Sequence, residues 1–151
     1  MVGLRSACLI AVALAGSAQA RAEEAELRGG SYAVTYRLEI PHVENWAINK
    51  STTICVPDTD GASGPPLPVL SGNNPLARCP VRNIERDGAT LRYEIACPGR
   101  NEARARAVYA LTPGGFKGRI AMVMGAKNMT MIEVQVGRRL GRCDLASAPQ
   151  N

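Results

Sequence analysis

The chain has 151 residues, 46% hydrophobic, 21% charged and only 4% aromatic, with a formal net charge of +5 at pH 7. These fractions exclude wholesale disorder and a collagen-like fibre, and they size the chain for one domain with its own core. No apolar run reaches the length of a transmembrane helix, so the chain is expected not to be membrane-spanning.

Met1–Ala20 has the three parts of a secretory signal peptide. One charge sits at Arg5, an apolar run covers Ala7–Ala15, and Ala18-Gln19-Ala20 is a small-x-small cleavage site. Cleavage after Ala20 and a periplasmic location are the expectation. Residues 21–30 then form a polar leader, 31–145 a single β domain and 146–151 a tail. Cleavage leaves Cys55, Cys79, Cys97 and Cys143. An even count in an exported chain points to two disulfides. No pair is spaced C-x-x-C and His42 is the only histidine, which argues against zinc.

Strict alternation begins after Gly29-Gly30. Tyr32, Val34, Tyr36, Leu38 and Ile40 share one face, and Pro41 ends the strand. Ser51–Val56 is a second strand. Pro57–Arg78 holds five of the ten prolines and predicts one long irregular connection, either functional or mobile. From Cys79 onward the pattern is a run of hairpins. Leu91, Tyr93, Ile95 and Cys97 share a face, as do Ala103, Ala105, Ala107, Tyr109 and Leu111, and then Phe116, Gly118, Ile120, Met122 and Met124. Met129–Val136 is the last strand. Asp87-Gly88, Thr112–Gly115 and Gly125–Asn128 are the turns. The fold class is therefore all-β: an antiparallel meander of about seven strands, curled or closed into an open barrel, with two disulfides.

Pairing arithmetic sharpens this. With Ala110 opposite Lys117, Tyr109 faces Gly118, Ala107 faces Ile120 and Ala105 faces Met122, so small residues meet large ones. Around Asp87-Gly88, Cys79 falls opposite Ala96, next to Cys97. A Cys79–Cys97 bond then needs a bulge or a diagonal pairing, and Cys55 pairs with Cys143 by elimination. The alternative, Cys55–Cys79 with Cys97–Cys143, closes the proline-rich connection instead.

Several residues resemble a known family. They are Cys55-Val56-Pro57-Asp58, the Cys–hairpin–Cys unit, Gly114-Gly115-Phe116-Lys117-Gly118, the Met-rich hairpin and Gly137-Arg138-Arg139-Leu140-Gly141-Arg142-Cys143. Over about residues 30–145 the chain is similar to the small exported proteins of the domain of unknown function 3617 family. That family usually has Trp in the strand ending at the third cysteine, where Tyr93 stands here. The resemblance implies an envelope β protein and supplies no catalytic residues.

The chemistry available is narrow. Met122, Met124, Met129 and Met131 flank a turn, and soft thioethers hold Cu(I). A four-residue turn gathers them but buries Glu133 and Gln135 and exposes Ile132, Val134 and Val136. A three-residue turn keeps the aliphatic residues inside, so hydrophobic phase predicts the three-residue turn and methionines that fill the core. Asp58-Thr59-Asp60-Gly61 lacks the further ligands of a calcium loop and reads as a polar turn. Ser71 has no nucleophile-elbow context, and nothing places a serine and an aspartate beside His42. Arg92, Arg104, Arg106, Lys117 and Arg119 form a basic strand face for an anionic partner, with Glu94 opposite Arg106 pairing one charge and Arg138, Arg139 and Arg142 following. That face lacks aromatics for base stacking, and nucleic acid is not expected.

The expectation is a non-enzymatic envelope protein with no cofactor or metal, binding a small hydrophobic or lipid-like ligand in the barrel interior. One alternative is an interaction module whose basic face takes an anionic envelope component. Another is a Met-rich copper-handling protein.

Overall fold

The computed structural model describes residues 25–57, 66–99, 102–125 and 129–143. The expected signal peptide, the Asp58–Gly61 turn and the 146–151 tail lie outside them. The alternating segments form seven strands: β1 (Gly30–Glu39), β2 (Lys50–Val56), β3 (Val81–Asp87), β4 (Thr90–Ala96), β5 (Ala103–Thr112), β6 (Gly115–Met124) and β7 (Met129–Gly141). They make one open antiparallel sheet in the order β2-β1-β7-β6-β5-β4-β3. β3 to β7 is the expected meander, and β7 closes back on β1. β2 and β3 are the two edges, so the chain between them must travel from one edge to the other. Its described part, residues 66–80, lies across the inner face, where Leu67, Val69 and Leu76 join the core. We call this connection the strap.

The β5–β6 register is the expected one, with Tyr109 opposite Gly118, Ala107 opposite Ile120 and Ala105 opposite Met122. A Cβ at Gly118 would overlap the Tyr109 ring, and one at Gly137 would overlap Phe116. The two glycines let aromatic rings lie flat on the sheet. Tyr32, Phe116, Tyr109 and Tyr93 then form a chain of ring contacts with centroids 5.5, 5.6 and 6.0 Å apart.

The β3–β4 hairpin turns at Gly88-Ala89, with Asp87 facing Thr90. A bulge between Arg82 and Glu85, where Asn83 has φ 51, shifts the register by one residue. Without it Cys79 would fall opposite Pro98; with it Cys79 comes beside Cys97. The disulfides are Cys79–Cys97 and Cys55–Cys143, with Cα atoms 4.7 and 5.5 Å apart. Each fixes one end of the strap.

Four expectations are corrected. The β3–β4 turn is Gly88-Ala89 and not Asp87-Gly88. Ile40, expected on the inner face of the first strand, lies past the end of β1 and is exposed. β7 runs on to Gly141, five residues past Val136. More importantly, Met122 faces Met131 and Met124 faces Met129. This is the register of the four-residue turn, not the three-residue one. Glu133 and Gln135 are buried, and Val136 is 47% exposed on the other face. The physical reason is that both polar side chains find partners on the strap, 62 to 67 residues away in sequence. Periodicity within a strand cannot reveal such partners.

The leader also contributes to the core. Leu27 is buried, Tyr32 Oη donates to the Arg28 carbonyl at 2.7 Å, and the Arg139 guanidinium donates to the Gly29 carbonyl at 2.9 and 3.2 Å. Arg86 of the far edge strand donates to the Ala25 carbonyl at 3.0 Å. Leader and strap together roof the inner face.

Candidate functional site

The outer face carries the basic side chains, and the registers arrange them in rows across the strands. One row reads Arg37, Val134, Arg119, Val108, Arg92. The next reads Glu39, Ile132, Ala121, Arg106, Glu94. Lys117 stands between Val136 and Ala110, and Arg104 between Val123 and Ala96. Arg92, Arg104, Arg106, Lys117 and Arg119 are all exposed. The result alternates guanidinium and aliphatic groups, so cations in one row stand two strands, about 10 Å, apart, a spacing that an extended polyanion can bridge.

Among the described residues three shallow depressions lie on this face, each bordered by a carboxylate as well as by cations. The first, of about 480 Å³, is bordered by Arg37, Glu39, Val108, Lys117, Arg119 and Val134. The second, of about 420 Å³, is bordered by Glu94, Arg104, Arg106, Ala121 and Val123. The third, of about 340 Å³, has Glu85 and Glu94 beside Arg92 and Arg106. Some of the charge is already balanced. Arg37 pairs with Glu39 at 2.6 Å, and Arg106 pairs with Glu94 at 3.0 Å. Arg106, and then Asn83, hold the Glu94 carboxyl below the usual carboxylate range. Arg138 and Arg142 are exposed, but Arg139 turns inward to the leader and is not part of the surface.

Beneath the strap lies a second polar constellation, which the sequence did not announce. Glu133 takes the Leu70 N–H on Oε1 at 2.8 Å and the Ser71 N–H on Oε2 at 2.7 Å. Gln135 Nε2 donates to the Pro68 carbonyl at 2.8 Å and to Glu133 Oε1 at 2.6 Å, while Gln135 Oε1 accepts from Tyr109 Oη at 3.0 Å. Tyr93 Oη donates to the Leu67 carbonyl at 2.5 Å. Burial pushes the Tyr93 and Tyr109 phenols up from their ordinary range. Among the described residues no buried side-chain polar atom lacks a partner. Glu133 and Gln135 project from one face of β7 because they are two residues apart, and their groups bind the strap backbone. This is the geometry of a clasp.

The other sequence candidates are dispersed. His42 sits exposed in the β1–β2 connection, where its N–H bonds Glu44. Ser71 Oγ accepts from Asn74 Nδ2 at 3.0 Å. Met122 Sδ also accepts from Asn74 Nδ2, at 3.2 Å. Among the described residues no three His, Cys, Asp or Glu side chains gather as for a metal, and no helix is long and apolar enough to cross a membrane. Sequence reasoning missed Glu133, Gln135 and the exposed Trp46. The alternation in β7 pointed the other way for the first two, because hydrophobicity favours Ile132, Val134 and Val136 for the core.

No curated protein and no solved structure matches this chain. A family model described as "Protein of unknown function (DUF3617)" matches residues 27–143, from the buried Leu27 of the leader to the disulfide-bonded Cys143. The chain belongs to that family.

Proposed function

We propose that the protein is an exported, non-enzymatic envelope component that binds an anionic partner on the outer face of its sheet. The observation that carries this reading is the alternation of exposed Arg and Lys with aliphatic side chains over β4 to β7 and β1, on the face opposite the core. Such a surface recognises clustered negative charge without sequence specificity, and its affinity falls with salt because exposed charges are screened over about 8 Å at physiological ionic strength. The test is retention on heparin at low salt. Replacing Arg104, Arg106 and Arg119 together with Ser should abolish retention while leaving the fold intact. Undiminished retention by the folded triple variant would overturn the reading.

A second reading, a small hydrophobic ligand in the interior, draws on the strap. The inner face is filled by aromatic rings and by Leu67 and Leu76, so a ligand would enter only with the strap lifted. In this reading the polar clasp at Glu133 is the release point. Native mass spectrometry of the protein purified from the periplasm tests this, and a retained small molecule would favour it. Of the four methionines, Met122 and Met131 are core, Met124 packs partly buried against it and Met129 is exposed, and we read none of them as a copper ligand. Stoichiometric Cu(I) binding that is lost in Met124→Leu would reverse that.

A further inference from the structure

The connection between β1 and β2 is the most conspicuous apolar feature outside the core. It is a compact, internally bonded tip. The Val43 N–H bonds the Ile40 carbonyl at 3.1 Å, the Trp46 N–H bonds Val43 at 3.0 Å, and the Ala47 N–H bonds Glu44 at 3.1 Å. The His42 N–H is held by Glu44 at 3.0 Å. This framework presents its large side chains outward: Trp46 is 84% exposed and Ile48 75%, and Ile40 and Val43 are also exposed. A tryptophan is ordinarily among the well-buried residues, and a cluster of exposed apolar side chains marks a contact surface. Continuing the β1–β7 register past Glu39 and Ile132 brings the tip beside the start of β7, where Met129 is exposed too. Among the described residues, five of the eight large exposed hydrophobic ones thus share one end of the sheet.

We propose that this tip inserts into the interface of an anionic phospholipid bilayer, and that the bilayer is the anionic partner of the outer face. The proposal rests on the reading of that face given above. Two observations select a bilayer. First, the apolar groups project from one short turn and do not pave a flat area, a shape that a fluid interface accepts without a complementary pocket. Tryptophan, with an apolar ring and one N–H, is the residue enriched at that depth. Second, the charge is placed to match. Arg106 lies in the same row as Glu39 at the root of the tip, Arg104 lies two residues nearer that end, and Lys50 opens β2 directly after the tip. Of the carboxylates at that end, Glu39 is paired with Arg37 and Glu94 with Arg106, while Glu44, which accepts the His42 N–H, and Glu102 are exposed, so the charge match rests on Arg104 and Lys50. Apolar insertion flanked by cations is the recognition chemistry of peripheral binding to anionic lipid.

Trp46 is the only tryptophan in the chain, so its fluorescence reports the tip alone. The purified protein is mixed with vesicles of phosphatidylcholine and phosphatidylglycerol at three to one, and separately with heparin. The expected result is a blue shift with vesicles, quenched by lipids brominated on the acyl chain, and no blue shift with heparin. Ile48→Ser should lower vesicle partitioning at least tenfold by co-sedimentation, with thermal unfolding and heparin retention unchanged. Arg104→Ser/Arg106→Ser/Arg119→Ser should lose both ligands. Vesicle binding without a blue shift would overturn the tip proposal and leave the basic face standing. A blue shift with vesicles but no heparin retention by the unaltered protein would leave the tip and overturn the basic face. A blue shift that grows with protein concentration in the absence of lipid, and disappears in Ile48→Ser, would show a second copy covering the tip and would overturn the proposal.

Discussion

Replacing Glu133 tests the clasp most directly. In Glu133→Ala three N–H donors lose their acceptor: Leu70 N, Ser71 N and Gln135 Nε2. A hydrogen bond to a charged group contributes about 1.5–3 kcal/mol, and a buried donor left alone costs about 1–3 kcal/mol. Leu70 and Ser71 are only half-buried, so water recovers part of that loss. The expected destabilisation is about 3–5 kcal/mol for the alanine. In Glu133→Gln one oxygen keeps one strap N–H, while the new amide opposes a donor to the other, for a cost of about 1–3 kcal/mol. The assay is urea unfolding with both disulfides intact, combined with amide hydrogen exchange. The Leu70 and Ser71 amides should lose protection before those of β5 and β6, because both ends of the strap stay fixed by Cys55–Cys143 and Cys79–Cys97. A loss below about 1 kcal/mol in the alanine variant, with both amides still protected, would refute the clasp.

Three further outcomes follow from the same coordinates. Gly118→Ala drives a methyl into the Tyr109 ring and should cost about 1–3 kcal/mol, whereas Gly114→Ala, with open space at its Cβ, should stay within about 0.5 kcal/mol; thermal unfolding distinguishes them. Removing Cys55–Cys143, which spans 88 residues, should cost about 4–5 kcal/mol, against about 3 kcal/mol for Cys79–Cys97, which spans 18, as measured by denaturant unfolding of paired serine variants. Tyr93 and Tyr109 have raised folded pKa values, so their contribution to stability is complete below the ordinary tyrosine pKa of about 10 and is lost as pH climbs above it. Absorbance at alkaline pH should show both phenols ionising together with unfolding, and their early titration in a folded protein would contradict their burial.

Much of the architecture was legible because two local signals agreed. On β5, Ala, Ala, Tyr and Leu alternate with Arg, Arg, Val and Ala, so the phase has one reading, and the tight turn before Gly115 then sets the β6 register. The bulge at Asn83 was inferable only as a need, since Cys79 and Cys97 could not meet without it. β7 was illegible for a different reason. Met131, Glu133 and Gln135 alternate with Ile132, Val134 and Val136, and hydrophobicity alone chooses the second set for the core. Long-range hydrogen bonds to the strap reverse that choice. The basic face was legible as charge; the inward turn of Arg139 was not, because its carbonyl partner lies 110 residues earlier in the chain. Trp46 carried a signal that went unread: three large apolar residues, Val43, Trp46 and Ile48, between Pro41 and the second strand, with no alternation to place them on either face.

The period of two makes the clasp and the outer surface a single design. Turning Glu133 and Gln135 inward obliges β7 to turn Ile132, Val134 and Val136 outward, with Val134 between Arg37 and Arg119, Val136 between Thr35 and Lys117, and Ile132 between Glu39 and Ala121. A sheet that served only stability would favour the opposite phase, since leaving Val136 exposed and Ile132 and Val134 half-buried forgoes part of the about 1.5–3 kcal/mol that full burial of each side chain contributes. The register therefore favours an outer face that is apolar as well as basic. Val136→Ser separates the two contributions. Val136 is 47% exposed, so the change should leave stability within about 0.5 kcal/mol. It should leave heparin retention intact, because heparin offers charge without an apolar phase, and should weaken co-sedimentation with anionic vesicles severalfold. Loss of more than about 1.5 kcal/mol of folding stability would show that the outer aliphatic residues act as a second core, and equal weakening on heparin and vesicles would show that only charge matters on this face.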